Sequence, residues 1–179
     1  DEGYHREISA EIARHLRQLM GQGEKAVLVV GLGNREVTPD ALGPEVVNNL
    51  HITRHIIREF GRVSFLEAGK NPVSAIVPGV MAQTGMETLE IIQGIVAQTR
   101  PDLVIAIDAL AARSTRRLNR TIQITDTGIN PGSGVGNHRQ GINRELLGIP
   151  VIAIGVPTVV DAATIVNDTM ENLVEAMDQ

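Results

Sequence analysis

No cysteine occurs among the 179 residues. That absence excludes disulfides, thiolate metal sites and a cysteine nucleophile, so any chemistry must come from other side chains. Aromatic residues are nearly missing as well, with Tyr4, Phe60 and Phe65 the whole supply. The core must therefore be built from Val, Ile, Leu and Ala, a composition that suits a parallel sheet buried on both faces. Stacking platforms for nucleic-acid bases are missing too. The formal net charge is -5, and the basic residues are scattered apart from one cluster, which argues against a direct nucleic-acid partner held through its phosphates. No apolar stretch approaches the roughly 18 to 20 residues that span a bilayer. The opening Asp1-Glu2-Gly3 lacks the charged-then-apolar pattern of a signal peptide. No membrane partner is expected, and the expected compartment is the cytoplasm.

The length predicts one domain over residues 1–179. From Tyr4 to Met20, Ile8, Ile12, Leu16 and Leu19 recur at helical spacing among Glu, Arg and Gln, which predicts an amphipathic helix stopped by Gly21 and Gly23. Three β-branched apolar runs follow: Ala26–Val30, Leu103–Ile107 and Val151–Ile154. They read as strands buried on both faces, separated by helix-length segments. Thr121–Thr125 alternates polar and apolar residues, as expected of a strand with one wetter face. Helices are predicted over Met86–Thr99 and Ala162–Met177, both covering the sheet. Strands alternating with helices imply βαβ units, so the expected fold is α/β, a mostly parallel sheet with helices on both faces.

In such a sheet functional groups gather at the carboxyl ends of the strands. After the first run comes Gly31-Leu32-Gly33-Asn34, then Thr38-Pro39-Asp40-Ala41-Leu42-Gly43-Pro44. After the second comes Asp108-Ala109-Leu110-Ala111. Asp108, beyond an apolar strand, is expected to have its charged form disfavoured by desolvation. Asp40, a short loop past its own strand, is placed to reach the same crevice. Two carboxylates there can share one proton, the ionised member acting as base on water and the protonated one as acid. That chemistry hydrolyses peptides with no metal, serine or thiol. The bland readings stand beside it: a helix N-cap for Asp40 and a buried structural carboxylate for Asp108.

Other motifs are weaker. Gly31-Leu32-Gly33 opens like a dinucleotide fingerprint, but the third glycine position is Glu36. Gly132-Ser133-Gly134-Val135-Gly136 offers backbone amides to an anion, yet lacks the Lys-Ser/Thr ending of a phosphate loop. Pro131 also removes the nucleophile-elbow reading. His51 and His55, four apart, would share a helical face at metal-site spacing. With two histidines only and no adjacent Glu, a structural or surface role is the better reading. Arg113, Arg116, Arg117 and Arg120 form the one basic cluster, either a solvated face or an attractor of acidic peptide segments.

Several blocks, taken in order, carry a resemblance. They are Val30–Asn34, Val37–Pro44, Thr53-Arg54-His55, Ser74–Met81, Ala106–Leu110, Thr121–Ile124, Asp126-Thr127-Gly128, Pro131–Asn137 and Gly155–Ala162. In these the chain resembles the spore germination proteases, whose fold is similar to that of the hydrogenase maturation proteases. The resemblance implies an endopeptidase that degrades small acid-soluble spore proteins in the spore core during germination. It also implies synthesis as a zymogen, assembly as a homotetramer and a chain extending further at both ends. The aspartic pair of the family falls on Asp40 and Asp108, the two residues selected by the strand-end argument. Substrate contacts are expected from Asn34, Arg113, Arg116, Ser133 and Gly134, with no metal and no cofactor. Asn130 departs from the family, which more often shows His there. Two other readings remain on this fold: a maturation-type peptidase whose acids recognise nickel, and an inert binding protein.

Overall fold

Each of the three apolar runs becomes a strand of one sheet in the computed structural model, which describes residues 2–61, 71–131 and 140–177. They are β1 (Val27–Gly31), β3 (Leu103–Ala112) and β5 (Val151–Val160), joined by β2 (Val73–Ile76) and β4 (Gln123–Thr125). The order across the sheet is β2-β1-β3-β5-β4. All neighbours are parallel except β4, which runs antiparallel to β5. The α/β class and the mostly parallel sheet expected from the sequence are what the chain forms.

Helices cover both faces because alternate residues of the β-branched strands point to opposite sides. On one face Leu28, Val30, Val104, Ala106 and Val151 pack with Leu89, Ile92, Ile95 and Val96 of α5 (Thr88–Thr99). On the other, Val27, Val29, Ile105, Ile107 and Ile152 meet Leu16 and Met20 of α1 (Glu2–Met20) and Leu42, Val46 and Val47 of α2 (Leu42–Asn48). Each fully buried aliphatic side chain contributes on the order of 1.5–3 kcal/mol. The remaining helices are short: α3 (Arg54–Phe60), α4 (Met81–Thr84) and α6 (Arg144–Leu147). Sequence periodicity did not single out β2, an edge strand only four residues long. The buried Thr53 holds it, its hydroxyl donating to Asn71 O and accepting from Val73 N–H, both at 2.9 Å.

Four expectations are corrected by the structure. Asp108 does not lie in a loop after its strand, because β3 continues to Ala112 and β5 to Val160, paired from Asp108↔Gly155 through Ala112↔Val160. Asp40 is not a helix N-cap: it ends a 3-10 turn over Thr38–Asp40, and the residue before α2 is Ala41, which makes no side-chain cap. His51 and His55 share no helical face, since α3 begins at Arg54 and leaves His51 in the preceding loop. Helix α7 (Ala162–Met177) has the expected span but does not cover the sheet, none of its residues being buried. Its polar stripe is the one that touches the protein. Asp168 accepts from Ser114 Oγ and from the backbone N–H and hydroxyl of Thr115 at 3.2, 2.6 and 2.7 Å, and Arg116 donates to Asn172 at 2.9 Å.

Candidate active site

The site forms where the sheet changes winding direction. From β1 the chain adds β2 on one side and then returns to add β3 on the other, so the segments leaving β1 and β3 diverge and open a crevice between them. The last pairing of β1 with β3 is Gly31↔Ile107, closed by Leu32 N–H donating to Ile107 O at 2.8 Å. Asp108 is therefore the first residue of β3 beyond the reach of β1.

Glycine lets the β1 segment come this close. An added Cβ at Gly43, in the first turn of α2, would lie 2.6 Å from Ile107 O and closer still to the backbone of Leu32. Gly33 adopts φ +111, and a Cβ there would collide with the Asp40 backbone and stand 3.1 Å from its Oδ1. The half-buried Asp40 carboxylate folds back under this turn, Oδ2 accepting the Asn34 N–H at 2.6 Å. A second tether comes from across the sheet: the Thr158 hydroxyl, on β5, donates to Pro39 O. The turn that carries Asp40 is thus fixed by β1, α2 and β5 together.

Asp108 is 4 % exposed. Burial, reinforced by the nearby negative charge of Asp40, pushes its carboxyl up to about 7, against a smaller opposing effect of the Ala109 N–H, which donates to Oδ1 at 2.9 Å. The two acids expected from the sequence lie near enough for the charge of Asp40 to act on Asp108. Below about pH 7 Asp108 holds a proton, so the crevice offers a proton donor with a second carboxyl group nearby.

The other expected residues fall at different distances from this centre. Asn34 adjoins Asp40 through its backbone, while its side-chain oxygen accepts from Glu36 N–H at 3.0 Å and from Gln83 at 3.4 Å. Ser133 and Gly134 lie outside the described residues. Arg113 follows the end of β3 and lines a cleft of about 630 Å³ that begins at Leu110, two residues past Asp108; neither Asp40 nor Asp108 lines it. Arg116 is turned to Asn172 of α7 and is not in that cleft, whereas Arg117 is. Asn130 is exposed beside Gly141. Among the described residues no three His, Asp or Glu side chains gather to hold a metal ion. Sequence reasoning missed Thr158, Gly43 and Gln83 as members of this neighbourhood. A hydroxyl 119 residues from its partner leaves no local signature.

Comparisons with known proteins identify the family. The germination protease family model matches residues 1–179. The germination protease of Geobacillus sp. (strain WCH70) is 59% identical over 164 residues, covering 92% of this chain and 44% of that protein. That of Clostridium perfringens (strain 13 / Type A) is 53% identical over 178 residues, covering 99% and 54%. This chain spans about half the length of the curated relatives it matches. Among solved structures, the NiFe hydrogenase maturation protease HycI from Thermococcus kodakarensis KOD1 aligns over 89% of this chain and 95% of its own, at 18% identity and a TM-score of 0.47. With a family model matched from end to end and more than half of the aligned residues identical in each of these relatives, the chain belongs to the germination protease family.

Proposed function

We propose that this chain carries the catalytic centre of an endopeptidase that degrades small acid-soluble spore proteins during germination, with Asp40 and Asp108 as a water-activating pair. The observation that carries the proposal is the buried Asp108, whose proton is retained to about pH 7 by burial and by the charge of Asp40.

In this reading a water held between the carboxylates attacks the scissile carbonyl carbon. Asp40 takes a proton from the water as the new C–O bond forms, and Asp108 gives its proton to the carbonyl oxygen, leaving a neutral gem-diol. Collapse breaks the C–N bond: Asp40 passes its proton to the leaving nitrogen, and one gem-diol hydroxyl returns a proton to Asp108. The pair ends as it began, with one proton on the buried member. The turn at Gly33 and the Thr158 tether hold Asp40 in place through this exchange.

A homotetrameric assembly, as the family resemblance implies, would give the exposed apolar residues of α7 a surface to be buried against. We place the enzyme in the spore core. Among the described residues no helix is long and apolar enough to cross a membrane. Synthesis as a zymogen belongs to the same reading and rests on the family alone.

The test is cleavage of a small acid-soluble spore protein by the parent chain and by Asp40→Asn and Asp108→Asn, each with and without a chelator. The expected result is chelator-resistant cleavage that drops about 10²- to 10⁴-fold in kcat in each variant. Undiminished cleavage by Asp40→Asn would refute the pair mechanism.

A further inference from the structure

Strand β3 loses one of its neighbours partway along. It runs to Ala112, whereas its pairing with β1 ends at Gly31↔Ile107. Between two parallel neighbours, the backbone N–H and C=O of successive residues point to one side and then the other. Three bonds fix that alternation here. On the β1 side, Leu103 N–H donates to Ala26 O at 3.3 Å and Ile107 O accepts from Leu32 N–H at 2.8 Å. On the β5 side, Val104 N–H donates to Pro150 O at 3.0 Å. The backbones of Ala109 and Ala111 are therefore turned to the lane that β1 has left, while Leu110 and Ala112 are turned to β5, with which they pair.

One polar group on this edge is engaged among the described residues: Ala109 N–H donates to Asp108 Oδ1 at 2.9 Å. The Ala109 carbonyl and the N–H and carbonyl of Ala111 have no hydrogen-bond partner among the described residues. Ala109, Leu110 and Ala111 are half-buried, so the edge is neither sealed in the core nor fully open to solvent. Ala109, Ala111 and Ala112 carry only methyl side chains, which stand little above the sheet. An unpaired edge of this kind is a template for a further strand. Asp108 stands at its head, and the substrate of a protease must lay its main chain beside that group.

We propose that the edge of β3 from Ala109 to Ala111 binds the protein substrate as an added strand, parallel to β3, through the residues that follow the scissile bond. The inference rests on the peptidase reading of Asp40 and Asp108. The direction follows from which groups are free. In a parallel ladder the peptide residue opposite Leu110 donates to Ala109 O and accepts from Ala111 N–H, and the residue two further on donates to Ala111 O. That uses each free group and leaves Ala109 N–H to Asp108. An antiparallel strand would instead need the Ala109 N–H for its residue opposite Ala109. With the reacting carbonyl beside Asp108, the residue opposite Leu110 is the second after the scissile bond, and the one bonded to Ala111 O is the fourth. Recognition of this kind reads main chain, so it holds the substrate extended whatever side chains it carries.

The test is equilibrium binding, which does not depend on turnover. Short overlapping peptides of a small acid-soluble spore protein, each with a fluorescein label and a reduced, uncleavable central bond, are titrated with the unmodified chain. The tightest is then remade with one amide at a time replaced by an ester, which removes the N–H and changes little in size. Esters at the second and fourth residues after the reduced bond should each weaken binding about twofold to tenfold. An ester at the third, whose N–H points away from β3, should change it less than about twofold. In the complex, hydrogen exchange followed by NMR should slow at Ala111 N–H and stay as in the free protein at Leu110 N–H, which faces β5. Binding of no peptide, equal losses at adjacent positions, losses at none, alternation confined to residues before the bond, or no protection of Ala111 would overturn the added strand. Matching peptides with an ordinary central bond separate the two claims. Cleavage without the alternating pattern removes the added strand alone, while the alternating pattern without cleavage removes the peptidase reading alone.

Discussion

Replacing Asp108 by Asn should make the protein more stable at neutral and alkaline pH, by an amount that vanishes in acid. In the fold this carboxyl titrates at about 7 against an ordinary value of 3.8. Between those values the folded protein keeps a proton that the unfolded chain has released. Stability therefore falls as pH rises through this window, and the loss is complete above about pH 7. At about 1.36 kcal/mol for each tenfold change in proton affinity, the full penalty is about 4 kcal/mol. That figure is an upper bound, because a buried charge draws in water and relaxes its surroundings. Asn is neutral at every pH, matches the protonated acid in shape, and keeps an oxygen for the Ala109 N–H. The variant should gain more than about 1 kcal/mol at about pH 8 and less than about 0.3 kcal/mol near pH 3.5. Urea unfolding followed by circular dichroism, at several pH values and with equal slopes for both chains, measures the difference directly. An advantage that is the same at all pH values, or a variant less stable than the parent at about pH 8, would refute the burial argument. Asp40→Asn gives a second arm, since removing its charge should lower the pH at which the loss is complete and so shrink the penalty from Asp108.

Other perturbations reach the same centre from different sides. On the proposed mechanism kcat should fall as pH rises above about 7, when Asp108 loses the proton it donates, and a profile flat from about pH 6 to 8 would contradict that role. Thr158→Val removes the tether on Pro39 O and should reduce kcat about tenfold while costing about 1 kcal/mol in stability, read by steady-state kinetics beside thermal unfolding. Gly33→Ala meets both a left-handed backbone and the Asp40 carbonyl, so it should destabilise by about 2 kcal/mol or more and lower activity beyond that of a control such as Gly94→Ala, whose surroundings are open. Asp168→Ala removes the acceptor of three hydrogen bonds from Ser114 and Thr115; hydrogen exchange should quicken along α7 and leave β1 and β3 unchanged.

Much of this molecule is legible in its sequence, and the illegible parts have physical causes. The β-branched runs of β1, β3 and β5 are buried on both faces, so they stand out as unbroken apolar segments. The acids at Asp40 and Asp108 follow from asking what lies past the carboxyl ends of those strands. The strand ends misled for a definable reason. A carboxylate reads as the end of an apolar strand, yet Asp108 lies within β3 because β5 continues to pair with it after β1 has left. Strand β2 went unseen because Pro72 and Pro78 bracket a stretch of four paired residues whose register is set by β1. Helix α7 shows the limit of periodicity. The stripe of Ile165, Met170, Leu173 and Val174 reveals a helix and says nothing about which side faces the protein. Here Asp168 and Asn172 decide that through their partners at Ser114, Thr115 and Arg116, leaving the apolar stripe outward.

The tether from Thr158 to Pro39 has a consequence for the order in which the protein comes into being. During synthesis the turn holding Asp40 is made well before β5. Until β5 has settled between β3 and β4, Pro39 O lacks its donor and Asp108 has no pairing neighbour on that flank. Contacts this distant in sequence form late, after the local ones. A partly made chain therefore holds both acids without the frame that positions them. On the proposed mechanism, the closing step that completes the sheet would also assemble the acid pair, so the two acids would act together only once β5 is in place.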